Sequence, residues 1–224
     1  LGLVGSEMCI RDRVYIEQVP PLSLVNGTGY FTDFAAAVQD SAVLIISPTG
    51  LMNAAAAYAA YRETSPVNPY NTVLADVEEL YMQYGGGVRK HPMAIRGFVD
   101  HLIDVAPTKP EGLLLIGKAI QAHRTNFQSG TRFNQDTASI RKSLVPTLGY
   151  PPSDIAYTLG LEGDGRVMEV PVGRIAARDE QEVLDYLDKV QAFEGNQAQP
   201  EAWMKNILHF RGGFNQTEWV AFDQ

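Results

Sequence analysis

Three short apolar runs, separated by segments of helical length, constrain this chain more than any other feature. They are SAVLIIS (residues 41–47), NTVLADV (71–77) and EGLLLIG (111–117). Alternating polar and apolar residues would mark strands with one wet face. Runs without that alternation, rich in branched aliphatics, mark strands covered on both faces. The intervening GLMNAAAAYAAYRET reads as an Ala-rich helix. EELYMQY reads as a short helix stopped by Gly85, Gly86 and Gly87. HPMAIRGFVDHLIDV places Pro92 at a helix start, with Met93, Ile95, Phe98, Val99, Leu102 and Ile103 on one face. Strand, helix, strand, helix, strand predicts an α/β fold: a doubly wound, mainly parallel sheet with helices on both faces.

The second half is less regular. Residues 118–143 are polar and read as a long surface insertion. LVPTLGYPPSDIAYTL has a short strand and a turn around Pro151–Pro152. A turn at Gly163–Asp164–Gly165 leads into an apolar strand over residues 167–172, closed by Gly173, Arg174 and Ile175. A helix is expected from Arg178, with Val183, Leu184, Leu187, Val190 and Phe193 inward and acidic residues at its positive end. GNQAQP is linker-like. WMKNILHFRGG predicts a further buried strand through Ile207, Leu208 and Phe210, and NQTEWVAFDQ the start of another helix.

Residues 3–13, LVGSEMCIRDR, have neither a structural period nor a signal-peptide pattern. They resemble the translation of a transposase-based sequencing adapter, so residues 1–13 are set aside as artefact and 14–40 taken as a lead-in. The only cysteine, Cys9, lies in that stretch, leaving no thiol for a disulfide, a metal site or a nucleophile. The chain lacks an initiating Met and stops inside an apolar-periodic stretch, so both ends are expected to be cut. The net charge is −8 with or without residues 3–13, which carry two Arg, one Glu and one Asp. That balance argues against a nucleic-acid partner, whose binding needs clustered cations. No run approaches the ~18 apolar residues of a membrane helix.

The ordered set AVLIISPTGLMNAAAAYAAYR, LADVEELYMQYGGGVRKHPMAIRGFVDHL, EGLLLIG, VPT, SD, VPVGRIAARDEQEVLDYLDKVQAFE and WMKNILHFRGG resembles the gingipain-type cysteine peptidases over about residues 41–213. That resemblance implies two adjacent caspase-like subdomains. The first is structural and the second carries a His-Gly motif and a nucleophilic Cys, whose thiolate the imidazole activates. Residues 41–195 match the first subdomain and residues 200–224 the opening of the second. His91, His101, His123 and His209 are followed by Pro, Leu, Arg and Phe, so none fits the catalytic motif. His91 is expected at a helix start, His101 on a helix surface, His123 in the insertion and His209 facing outward from a strand. The dyad is therefore expected downstream, in a secreted or surface-located parent that cleaves peptide or protein substrates and needs no cofactor. This chain alone is expected to be inactive and to pair with the remainder of its catalytic subdomain.

Asp164, within EGDGR, has three readings: a hairpin turn whose Asp-Gly supplies positive φ, a wall of a pocket for a basic substrate side chain, or, with Glu162, a ligand of structural calcium. Lys118 departs from many relatives, which place an acidic residue after the strand's Gly. It bears on specificity, or simply begins the insertion as an exposed lysine. YGGGVRK lacks the setting of a phosphate loop, residues 54–57 suit helix-on-sheet packing, and no Cys/His spacing suits zinc. The alternative function is a non-catalytic α/β domain of a large bacterial surface or secretion-associated protein. A flavodoxin-like or receiver-type domain accounts for the early pattern alone.

Overall fold

The computed structural model describes residues 21–40, 42–120, 142–149, 151–163, 165–197, 199–208 and 215–216. Four parallel strands, β1 (Ala42–Ser47), β2 (Asn71–Asp76), β3 (Gly112–Ile116) and β4 (Val172–Ile175), form one sheet in the order β2-β1-β3-β4. Pairing aligns Leu44 with Val73 and Leu113, and Leu114 with Gly173. The sheet is all-parallel, as the unbroken apolar runs predict. Leu44, Ile45 and Ile46 are consecutive and all fully buried, which is only achievable when both faces are covered.

Five helices are described: α1 (Phe34–Ala37), α2 (Met52–Thr64), α3 (Val77–Gln83), α4 (Pro92–Val105) and α5 (Glu180–Gly195). Helix α2 packs on β1 and β2. Within its alanine run Ala54 and Ala55 are buried, whereas Ala56 and Ala57 face out. Helix α3 starts on the Asp76 carboxylate, which accepts from the Glu78 N–H at 2.9 Å. It ends where the three-glycine stretch begins. A Cβ on Gly85 would come within 2.7 Å of the Tyr81 carbonyl oxygen, and Gly86 and Gly87 have φ of 62° and 79°. The stretch is a helix stop, as the sequence suggested. Helix α4 buries Ala94, Ile95, Phe98, Val99 and Leu102 against the cluster that includes Leu44, Ile46, Leu113 and Leu115, while Met93 is exposed rather than inward.

Residues 21–40 are more than a lead-in. Phe34 and Val38 are buried in the same cluster, and the Phe34 ring meets Phe98 edge-on at 5.1 Å. The buried Glu79 side chain accepts from Asn26 Nδ2 at 2.9 Å and from the Thr32 N–H at 2.7 Å, fastening the segment to α3. Glu79→Ala is expected to lower stability by about 2 kcal/mol, because two donors lose their acceptor. Limited proteolysis should then cut first between residues 21 and 33.

Three strand expectations need correction. The segment LVPTLGYPPSDIAYTL holds no strand among its described residues, but an isolated antiparallel bridge between Leu148 and Ser153 and a 3₁₀ turn at Asp154–Tyr157. The apolar run over 167–172 is not a strand: Met168 makes only an isolated antiparallel bridge to Leu159, and β4 begins at Val172. Pro171 has no N–H to give to a ladder, although its carbonyl accepts from the Leu113 N–H at 2.9 Å. Ile207 and Leu208 are not in a buried strand either. They are 95% and 78% exposed, and no described segment pairs with them. His209, Phe210 and most of the segment expected to start a further helix lie outside the described residues. A 3₁₀ turn, Ala202–Lys205, precedes them.

By density of contacts the chain divides into two units, Leu1–Leu187 and Asp188–Gln224. The division falls within α5. In the first unit Val183 and Leu187 are buried; in the second Phe193 is exposed, against the inward position its spacing suggested.

The core holds several phenols. Burial pushes Tyr84 up to about 12, and burial also raises Tyr81 and Tyr157. A raised phenol keeps its proton in the fold while the unfolded chain ionises near pH 10, so its contribution is complete below that pH and is lost as pH climbs through the folded value. Alkaline unfolding is therefore expected to begin near pH 10 and to release tyrosinate cooperatively. A spectrophotometric titration in which Tyr81→Phe flattens that step would check it.

A candidate functional edge at the strand carboxyl ends

Open α/β sheets bind ligands beyond the carboxyl ends of their strands, at the point where strand order reverses. Here that point lies between β1 and β3. Gly117, directly after β3, has φ of 130°, and a Cβ there would meet Leu144 Cβ at 3.1 Å, Val145 Cγ2 at 3.2 Å and Pro48 Cδ at 3.5 Å. The reversal point is thus filled by residues 144–145 and Pro48. A side chain at 117 would push that loop away, which explains a glycine there.

Arg174 organises the rest of the edge. Its Nε and Nη2 grip the two Asp154 carboxylate oxygens at 2.7 and 2.8 Å. Its Nη1 donates to the carbonyls of Gly117 at 2.7 Å and Val145 at 3.0 Å, and Nη2 also to that of Pro146 at 2.8 Å. A guanidinium has five N–H donors, and these five contacts use all of them. The side chains of Arg174 and Asp154 are 12% and 21% exposed, so the fork works largely out of water. Tyr157 adds a hydrogen bond from its hydroxyl to Pro146 O at 2.7 Å, and Arg96 reaches from α4 to the carbonyls of Ala156 and Leu159.

This network joins residues that the sequence left unconnected: LLLIG, VPT, SD and VGR meet on one side chain. Neither Arg174 nor Asp154 was assigned a role from sequence. The intervals between those motifs were the available signal.

At the end of β2, Asp76 accepts from Thr49 Oγ1 at 2.7 Å as well as capping α3, and burial raises its pKa. Its sign matters: a raised carboxyl costs stability as pH rises above the ordinary carboxylate value, and here the two hydrogen bonds oppose that cost. Arg174 thus has every donor engaged in structure, and each Asp76 carboxylate oxygen accepts one structural hydrogen bond.

Two recesses open at the edge and share Lys118. One, of about 340 Å³, is lined by Thr147, Pro152, Asp154, Arg174 and Ala176 among others. The other, of about 390 Å³, is lined by Lys118, Ile120, Lys142, Leu144 and Arg178. The main chain of Lys118 is pinned on both sides: its N–H donates to Ala177 O at 2.8 Å and its carbonyl accepts from the Leu144 N–H at 2.8 Å.

The histidines behave as the sequence suggested where they are described. His91 caps α4, its Nδ1 accepting from the Met93 N–H at 3.1 Å. His101 is exposed on α4 with its ring 5.7 Å from that of Tyr84. Cys9, His123 and His209 lie outside the described residues, as does Asp164, the candidate pocket wall. Its neighbour Glu162 is held by Lys109 Nζ at 2.7 Å, which also binds Glu169 at 2.9 Å. Hydrogen bonding to Lys109 lowers the Glu162 pKa. Lys109 precedes β3, so Glu162 sits toward the amino ends of the strands, away from the Arg174 edge. Among the described residues no three His, Cys, Asp or Glu side chains gather as a metal site would require. Among them, too, no helix is long and apolar enough to cross a membrane.

Comparison with known proteins agrees with this architecture. The model of peptidase family C25 matches residues 36–224. The solved structure of dimeric latent PorU from Porphyromonas gingivalis superposes with a TM-score of 0.54 at 18% identity, covering 80% of this chain and 18% of that one. At that identity the likeness concerns the fold. The present chain thus spans less than a fifth of the protein it matches. No curated protein matches it.

Proposed function

Because this chain belongs to peptidase family C25, we propose that it forms the first, non-catalytic subdomain of a secreted or surface-located gingipain-like cysteine endopeptidase. Its task is to supply a rigid platform beside which a second subdomain carries the Cys-His dyad. The observation that carries this reading is the Arg174 hub. It fixes the carboxyl edge of the sheet, where such a neighbour's substrate would lie, and spends all five of its own donors in doing so. No histidine of this sequence is followed by Gly, which supports placing the dyad outside these 224 residues. Such a platform contributes by positioning substrate and excluding motion rather than by bond chemistry.

The parent reading frame tests it. His-Gly and then Cys, each just after a predicted strand, should follow Gln224. Their absence from a frame that continues would favour instead a non-catalytic domain of a surface or secretion-associated protein.

A further inference from the structure

We propose that the recess lined by Lys118, Ile120, Lys142, Leu144 and Arg178 binds an acidic peptide side chain with an apolar neighbour. Its role as a substrate subsite rests on the peptidase reading above; the binding does not. Three cations around one recess invert the sign of a chain whose net charge is −8. Arg178 is held by Glu182 through both its side-chain and main-chain nitrogens. Neither Lys118 nor Lys142 forms an ion pair with any described residue. The Glu182 carboxylate, held by Arg178, feels the Lys118 charge from a distance, so among the described residues the cations lining the recess outnumber the carboxylates beside it.

The root of Lys118 is immobile, because its peptide groups bond residues 144 and 177 on either side. Ser143 adds a hydrogen bond from the Ile120 N–H to its Oγ at 3.2 Å. A fixed backbone beneath Lys118 removes part of the ordering cost of taking an anion, the rest falling on its flexible side chain. The remaining lining, Ile120 and Leu144, is aliphatic. It suits the side chain next to a carboxylate in a peptide, and it places no aromatic ring among the described lining for a nucleobase to stack on. A polyanion would also meet the repulsion of the acidic remainder of the chain. A basic substrate side chain is disfavoured at the same place by like charge.

Anisotropy of a fluorescein-labelled Ala-Leu-Glu-Leu-Ala peptide, and of its Gln and Lys counterparts, titrated with the 224-residue chain at low ionic strength would test this. The Glu peptide is expected to bind about tenfold more tightly than the Lys peptide, with Gln between, and to weaken as salt is added. Lys118→Glu combined with Lys142→Glu should reverse the order. Both side chains are exposed, and an unchanged thermal melt would show that the variant folds. Equal binding of the three peptides, no saturable binding, or a preference that survives the double reversal would overturn the proposal. So would competition by inorganic phosphate without discrimination among the peptides, which would mark an anion site only. None of these outcomes bears on whether the parent frame encodes a dyad, so the two readings fail separately.

Discussion

Replacing Arg174 with alanine is expected to lower the stability of the first unit by about 3–5 kcal/mol, a large part of the ~5–15 kcal/mol available to an ordinary domain. The substitution removes five donors at once. It leaves the Asp154 carboxylate and three carbonyls in a setting with little water. Arg174→Lys keeps the charge but cannot reproduce a planar fork, so it should recover less than half of the loss. Asp154→Asn keeps the shape and removes the counter-charge. It should cost about 3 kcal/mol, and the double variant Arg174→Ala, Asp154→Asn clearly less than the sum of its singles. Urea unfolding with an unchanged m value reads these effects. A loss under about 1 kcal/mol for Arg174→Ala would mean that the hub is ornamental.

Phe98→Ala should be comparably severe, at about 3–5 kcal/mol. The ring is fully buried and touches Phe34 edge-on at 5.1 Å and Tyr84 at 5.6 Å. It is therefore the point where α4, the sheet cluster and the amino-terminal segment meet. Truncation leaves a cavity that the rigid sheet side cannot close, and it removes the partner that holds Phe34. Hydrogen exchange should then show residues 34–38 opening at lower free energy than the strands. Phe98→Leu, which retains most of the volume, should cost clearly less.

The sheet was legible because burial on both faces leaves its mark in composition. A run such as Val43–Leu44–Ile45–Ile46 has few other homes. Helix α4 was legible by its period, and the glycine stop by its conformational needs. The Arg174 hub was not, since its partners lie 20 to 57 residues away and no local pattern announces a convergence of that kind. Nor was the role of Phe34 and Val38. A four-residue helix is too short to show a period, and its burial depends on a face that α4 creates. The run at Ile207–Leu208 misled for the opposite reason. Apolar β-branched sequence predicts a strand only where a neighbouring ladder exists to receive it, and among the described residues none does. The true start of β4 was hidden because Val167, Met168 and Val170 lead up to it with only Glu169 between them, although Pro171 cannot donate to a ladder.

That this chain is a scaffold whose chemistry is supplied elsewhere is tested most directly by peptide hydrolysis. The 224-residue chain, offered a mixture of fluorogenic peptides under reducing conditions, is predicted to show no turnover above the protein-free rate. If the parent frame carries the proposed His-Gly and Cys, the same polypeptide extended through them is predicted to cleave. Turnover by the 224-residue chain that disappears on His91→Ala or His101→Ala would contradict the account.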